Sequence, residues 1–200
     1  MSTGRKAEQS ESTRAELVSV ARRLFAERGY ADTPTEELVR AAGLTRGALY
    51  HHFRDKRALF EAVFEDVEQS LMMGLAKLMD PKSDAWTNLR RSFNAFLDAC
   101  LERDVQQIVL IDGPSVLGWD TWREIEDRYA LGATVAGLQQ AMDEGFITPQ
   151  PVAPLGHLLL AAVNEAGLVI AKSGDVKAAR KEVGAALERL LEGLRAPAAS

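Results

Sequence analysis

The residues best suited to bind another molecule lie between positions 33 and 56. Arg46 can donate two hydrogen bonds to a guanine, and the small Gly47 and Ala48 beside it would let a helix approach base edges closely. Donors suited to phosphate oxygens surround it at Thr33, Thr35, Thr45, Tyr50, His51 and Lys56. One base-reading cation among several phosphate donors predicts a surface that binds double-stranded DNA.

Other chemistry finds little support in the sequence. Adjacent His51 and His52 would point ~100° apart on a helix, so they cannot both chelate one metal well, and a lone His157 is more simply structural. The single cysteine, Cys100, excludes a disulfide within the chain and a cysteine-rich metal site. Neither a glycine-rich phosphate loop nor a Gly-x-Ser-x-Gly elbow is present. We therefore expect no metal, no cofactor and no enzyme.

Short capped segments position these donors. Thr33 is predicted to cap a helix with Pro34 at its first position, and Gly43 to end it. Thr45 can then cap a second short helix, from Arg46 to about His52. This tight succession predicts a helix-turn-helix whose second helix enters the major groove. A capping box at Thr13 and Glu16 is expected to start the preceding helix.

Length, charge and apolar content limit the classes of protein to which the chain can belong. The 200 residues are 46% hydrophobic, enough for a sizeable core. The net charge is -5, but residues 1–60 carry 11 Lys and Arg against 8 Asp and Glu, so the basic part coincides with the predicted DNA-binding segment. Residues 1–10 contain no apolar signal segment and are expected to form a flexible tail. No apolar run approaches the length of a membrane span, which predicts a cytoplasmic protein without a membrane partner.

Apolar residues recur at helical spacing along the rest of the chain. We predict an all-α fold of about nine helices, with a three-helix helix-turn-helix head at 11–53 and a larger ligand-binding and dimerisation domain at 54–196. A long helix should begin at Asp55 and end before Pro81. Asp175 should cap the last helix, which ends before Pro197. No convincing strand is present.

Three segments resemble the TetR-type transcriptional regulators: 24–30 (LFAERGY), 41–53 (AAGLTRGALYHHF) and Asp55–Lys56. The resemblance covers residues 13–60 without a gap. It implies a homodimeric repressor that binds a palindromic operator, with a C-terminal effector domain whose last two helices pair across the dimer. Pro34 departs from the family pattern, because many members carry threonine or serine there.

The C-terminal part contains candidate ligand and dimer residues. The ligand candidates are Phe93, Phe96, Cys100, Trp119, Trp122, Arg123, Tyr129 and Asn164, although aromatic residues at helical spacing are often plain core. Asn164 and Glu165 interrupt an apolar helix and need partners; a dimer seam or a structural hydrogen bond is favoured over the ligand pocket. The dimer candidates are Leu159, Val163, Val183, Leu187, Leu190, Leu191 and Leu194.

These patterns favour a repressor that a small-molecule effector releases from DNA. Two alternatives stay open at this point. The chain could be a helical small-molecule-binding protein or enzyme whose N-terminal helices are structural, with catalytic groups distant in sequence. It could also be an interaction protein whose helix-turn-helix binds protein instead of DNA.

Overall fold

The computed structural model describes the backbone of residues 2–197 and the side chains of residues 7–197. The helices are α1 Ser2–Arg28, α2 Thr35–Ala41, α3 Arg46–His52, α4 Lys56–Lys77, α5 Ala85–Ala99, π-helical segment π1 Val105–Asp112, α6 Gly113–Leu117, α7 Trp119–Glu126, π-helical segment π2 Asp127–Leu131, α8 Gly132–Asp143, α9 Val152–Ala171 and α10 Val176–Glu192. Since π1 runs into α6 and π2 joins α7 to α8, residues 2–197 form nine continuous helical stretches. Over residues 2–197 strand-like pairing is limited to one isolated bridge, between Ile147 and Arg195. The predicted all-α fold of about nine helices is confirmed.

The chain divides into two compact units. The first comprises residues up to Val67 together with Arg103–Trp119, and the second comprises Glu68–Glu102 together with residues from Asp120 onward. This division differs from the predicted boundary between residues 53 and 54. Leu59, Phe60 and Phe64 of α4 are fully buried, and their burial ties the first half of that helix to the first unit.

The first unit is built on a long N-terminal helix. Leu17, Leu24 and Phe25 of α1 are buried, and the Phe25 and Phe60 rings meet edge to face with centroids 5.4 Å apart. The predicted capping box at Thr13 is wrong, because α1 already begins at Ser2 and the Thr13 hydroxyl donates to the Gln9 carbonyl within the helix. The described part of the predicted tail, residues 2–10, is helical backbone.

The turns of the first unit correct a second predicted cap. Pro34 takes the capping position of α2 without a side-chain hydrogen bond, so the prediction that Thr33 caps this helix is wrong. The Thr33 side chain is buried and its hydroxyl donates to the Gly29 carbonyl at 2.7 Å. Gly29 itself has φ +80° and Gly43 has φ +64°, which explains glycine at the ends of α1 and α2. The predicted caps at Thr45 and Asp175 are confirmed, because their side chains accept hydrogen bonds from the Ala48 and Ala178 amides. Asp55, predicted only to begin the long helix, accepts from the Ala58 amide.

The second unit packs α5, α8, α9 and α10 against one another. By length and composition alone, helix α9 is long and apolar enough to cross a membrane, which corrects the expectation that no apolar run approaches that length. Eight of its 20 residues are nevertheless buried within this unit. Gly156 lets α9 approach α8 closely, since a Cβ there would lie only 2.7 Å from a Val135 methyl.

Candidate functional site

Helix α3 presents its donors on one exposed face. The Thr45 hydroxyl caps the helix by accepting from the Ala48 amide at 3.2 Å. Leu49 is fully buried, whereas Thr45, Gly47, Tyr50 and His51 are exposed. The cap fixes the start of the helix and Leu49 fixes its rotation, so the donors point away from the core.

Arg46 lies on this face with its side chain 64% exposed. Its guanidinium is 2.9 Å from the Glu36 carboxylate and lies over the Tyr50 ring at 5.5 Å from the centroid. Because an ion pair between two such exposed side chains contributes little free energy, a phosphate or a guanine edge can replace Glu36 as the partner. The Arg46 guanidinium is therefore an exposed, planar hydrogen-bond donor at the start of α3.

Two other predicted donors are engaged inside the protein. The Thr33 hydroxyl is buried and committed to the Gly29 carbonyl, so it cannot reach a phosphate. The Lys56 amine donates to the Tyr30 carbonyl and lies 4.1 Å from the centre of the Tyr30 ring. Burial lowers the pKa of Lys56, while Asp112 and Asp32 oppose that shift. Thr35 lies half-buried at the first position of α2.

The segment Arg103–Trp119 is anchored on the first unit by polar contacts. Arg22 pairs with Asp104 at 3.0 Å and with Asp66 at 2.8 Å. The Tyr30 amide donates to the Asp112 carboxylate at 2.7 Å. The Arg57 guanidinium donates to the main-chain oxygens of residues 116 and 117, at 3.2 and 2.7 Å. These contacts attach both ends of the segment to other residues of the first unit. No pattern in the sequence predicted them.

The second unit contains a cavity of about 350 Å³. Most of its wall is apolar and includes Met72, Leu75, Leu89, Phe93, Phe96 and Leu160. Helices α4, α5, α8 and α9 all contribute residues. A cavity of this size and polarity suits a small organic molecule.

Two carboxyl groups interrupt the apolar wall. Glu68 and Glu126 are 4% and 3% exposed, and both line the cavity. Burial raises the pKa of Glu68 to about 7. Burial, and after it the neighbouring charge of Glu68, raises the pKa of Glu126 to about 8, against the opposing effects of Arg123 and Asn164. Asn164 donates to Glu126 at 2.7 Å, and an Arg123 nitrogen lies 3.8 Å from the same carboxylate oxygen.

Both parts of the chain match models of one protein family. The model described as "Bacterial regulatory proteins, tetR family" matches residues 17–63, and "Tetracyclin repressor-like, C-terminal domain" matches residues 86–194. The chain belongs to the TetR family. It is therefore a DNA-binding transcriptional regulator and not an enzyme. The alternative of an enzyme whose N-terminal helices are only structural is wrong.

Individual relatives agree with this assignment. The TetC protein of transposon Tn10 from Escherichia coli is 30% identical over 140 residues, which cover 68% of this chain and 69% of TetC. The repressor KstR2 of Mycobacterium tuberculosis is 28% identical over 148 residues, covering 72% of this chain and 74% of KstR2.

Solved structures of TetR-family regulators share the fold. A regulator from Pectobacterium atrosepticum superimposes with a TM-score of 0.84 at 36% identity, covering 95% of this chain and 97% of its own. RolR, crystallised with its ligand resorcinol, gives a TM-score of 0.72 at 22% identity, covering 92% of this chain and 89% of RolR. At that identity the likeness to RolR shows the fold alone.

The structure brings together only part of the predicted ligand set. Phe93, Phe96 and Asn164 lie on the cavity wall. Cys100 and Trp122 are buried outside the lining, Tyr129 is also absent from it, and Trp119 is 62% exposed and belongs to the first unit. Arg123 contacts the lining residue Glu126. Glu68 and Glu126 escaped the sequence analysis; the only available signal was a charged residue between apolar positions such as Val67 and Leu71.

The predicted dimer residues separate into two groups. Leu159, Val163, Leu187 and Leu191 are buried within the chain itself, and Val163 lines the cavity. Val183 and Leu194 are half-buried, while Leu190 is 50% exposed. Leu158 and Val169 of α9, which were not predicted, are 70% and 46% exposed. Among the described residues of α9 and α10, the large exposed apolar side chains are those of Leu158, Val169 and Leu190.

Proposed function

We propose that this TetR-family regulator is a cytoplasmic homodimeric repressor that binds a palindromic operator and is released by a small-molecule effector. One observation carries the proposal: α4 contributes to the core of the unit that presents α3 and also to the cavity wall. Lys56–Val67 belongs to the first unit, whereas Glu68–Lys77 supplies Glu68, Met72 and Leu75 to the cavity.

Continuity of α4 supplies a route for the ligand response. A ligand that favours another position of Glu68–Lys77 would shift the first half of the same helix, against which α1 packs. Half-sites read by a dimer must stay about one turn of DNA apart, so a different spacing of the two α3 helices lowers operator affinity. The loss of affinity equals the ligand's preference for the DNA-free conformation.

The proposed operator contacts are assigned to the donors whose side chains are accessible at the surface. Arg46 reads a guanine, Gly47 and Ala48 allow close approach, and the donors at Thr35, Thr45, Tyr50 and His51 contact phosphates. Thr33 is left out because its hydroxyl is committed inside the protein. Lys56 contributes its charge near the interface while its amine stays on Tyr30.

Two further features support the dimer and the effector. Leu158, Val169 and Leu190 are large exposed apolar residues on the last two helices, where a second copy of the chain would cover them. RolR, which shares the fold, was crystallised with a small phenolic ligand, resorcinol. The apolar cavity in the second unit of this chain is consistent with an organic effector.

Selection of bound DNA from a random duplex pool tests the proposal with the full-length chain at a stated salt concentration. We expect an inverted repeat to be enriched. Arg46→Ala should weaken binding to it by roughly 1 to 3 kcal/mol and relax the preference at one position per half-site. Arg128→Ala in the second unit removes a matched exposed arginine and should leave binding unchanged. Failure of folded protein to enrich any repeat would contradict the proposed operator.

A further inference from the structure

The carboxyl of Glu68 is buried in the cavity wall without a partner in the described part of the chain. It is 4% exposed and makes no hydrogen bond or ion pair with residues 7–197. An ionised carboxylate in apolar surroundings is costly unless an opposite charge or hydrogen-bond donor meets it. The cavity therefore contains an acceptor whose missing partner is a donor.

The charge around the cavity is unbalanced. Glu68 comes from α4 and Glu126 from α7, and Arg123 is the cation near them, 3.8 Å from Glu126. Asp127 of π2 faces His157 of α9 at 4.0 Å, and burial raises the pKa of Cys100 after α5 to about 12, so its thiol is uncharged. The other polar lining groups are neutral: Asn88 and Ser92 on α5, Thr134 and Gln140 on α8, and Asn164 on α9. With both carboxyls ionised, the cavity has an excess of negative charge.

We propose that this cavity selects apolar organic amines, with the protonated amino group on Glu68 and Glu126 and the hydrocarbon body against the apolar wall. The assignment deepens the proposed function, because the amine would be the effector. An ammonium supplies both the charge and the three donors that the two carboxylates lack. A carboxylate ligand would add a third negative charge, and an alcohol would leave one carboxylate uncompensated.

Proton exchange gives the amine site a pH signature. Burial raises the pKa of Glu68 to about 7 and that of Glu126 to about 8, so the empty cavity retains protons near neutral pH. An ammonium favours the ionised carboxylates, so its binding releases those protons. Affinity for an amine should therefore rise between pH 6 and pH 8, while affinity for a neutral ligand of the same shape should not.

Calorimetry on the full-length protein with three matched probes tests the assignment. The probes are 1-naphthylmethylamine, 1-naphthalenemethanol and 1-naphthoate, which share one ring system and differ in the polar group. At pH 8 we expect the amine to bind at least roughly tenfold more tightly than the alcohol, and the carboxylate to bind most weakly. Amine binding should weaken by at least roughly tenfold at pH 6 and release protons to the buffer. Equal affinities, tighter naphthoate binding or no amine binding would overturn the assignment.

Variants show whether the carboxyl is responsible. Glu68→Gln should weaken amine binding by roughly tenfold or more and change alcohol binding by less than about threefold. Glu126→Gln provides an independent variant if the first fails to fold. Glu102→Gln, at an exposed carboxylate that follows α5, is the matched control and should bind like the wild type. Unchanged amine affinity in both cavity variants would overturn the assignment.

The two proposals can fail separately. If the amine binds but operator affinity does not change, the effector response is wrong and the amine site stands. If an operator is selected but the amine does not bind, the amine assignment alone is wrong. If the amine binds and no operator is enriched, the proposed operator is wrong while the cavity chemistry is retained.

Discussion

Glu68 lowers the stability of the folded chain, although the fold does not require a carboxyl group at this position. Glu68 interrupts an apolar surface of α4 and accepts no hydrogen bond from the described residues, yet a glutamine or a leucine would satisfy the helix equally well. Residues that cost stability without structural return are commonly found where ligands bind. The same reasoning does not apply to Thr33, whose buried hydroxyl is satisfied locally.

Glu68→Gln should stabilise the protein in a pH-dependent manner. The folded pKa of Glu68 is raised from 4.5 to about 7, so the wild type is most stable, relative to the variant, below about pH 4.5. That stability is lost as the pH rises from 4.5 toward 7, because the unfolded state releases this proton while the buried carboxyl of the folded state retains it. At pH 8 the variant should gain on the order of 2 to 3 kcal/mol in unfolding free energy, and little at pH 4.5. Urea unfolding at both values measures this; an equal gain at both would contradict the cause given.

Thr33→Val tests the structural assignment of that hydroxyl. Loss of its hydrogen bond to the Gly29 carbonyl should cost about 1 kcal/mol of unfolding free energy. Operator affinity should keep its dependence on salt concentration, because no phosphate contact is lost. Thr45→Ala is the comparison, since it removes an exposed cap and should reduce both stability and DNA binding. A shallower salt dependence in Thr33→Val would return this residue to the interface.

Sequence patterns predicted the features that depend on neighbouring residues. They missed the features that depend on packing between residues far apart in the sequence. The Thr45 cap, the exposed Arg46 and the start of α4 at Asp55 follow from a few adjacent residues, so a pattern can reveal them. Thr33 and Thr35 are both plausible phosphate donors by pattern, and only the burial of Thr33 distinguishes them. Glu68 and Glu126 lie 58 positions apart, and their proximity depends on helix packing that no local signal encodes.

At the scale of elements, the segment Arg103–Trp119 behaves as part of the first unit although it is distant in sequence. Its π-helical part is a wider helix than the predicted α-helix, and such segments persist where surrounding contacts hold them. The contacts here are those of Asp104, Asp112 and residues 116–117. The chain enters this segment from Glu102 and leaves it at Asp120, so its two ends are two further covalent connections between the units besides α4.

Asp112→Ala should loosen this segment. The Tyr30 amide would lose its acceptor, which should cost about 1 to 3 kcal/mol. Hydrogen exchange should accelerate over residues 103–119 more than over α9. Glu102→Ala removes an exposed carboxylate just before the segment and should leave exchange unchanged. Uniform acceleration over the whole chain would instead indicate global destabilisation without a distinct role for the segment.

At the scale of the whole molecule, helix α9 is apolar on two sides, and these two sides have different surroundings. One side of the helix is buried within its own unit, and the other side exposes Leu158 and Val169, with Leu190 exposed on α10. Large exposed apolar residues on an otherwise apolar helix mark a candidate surface for another protein. A second copy of the chain would cover them symmetrically and would bring two α3 helices to one operator.

Leu158→Glu should therefore prevent formation of the proposed dimer. Covering two carboxylates without partners in an isologous interface is costly, so sedimentation should show monomers at concentrations where the wild type is dimeric. Because one α3 helix contacts only a half-site, operator affinity should fall by at least roughly a hundredfold, while binding of the amine probe to the cavity persists. Leu78→Glu, at a leucine 50% exposed outside α9 and α10, is the matched control and should remain dimeric. A dimeric Leu158→Glu variant with wild-type operator affinity would place the partner surface elsewhere.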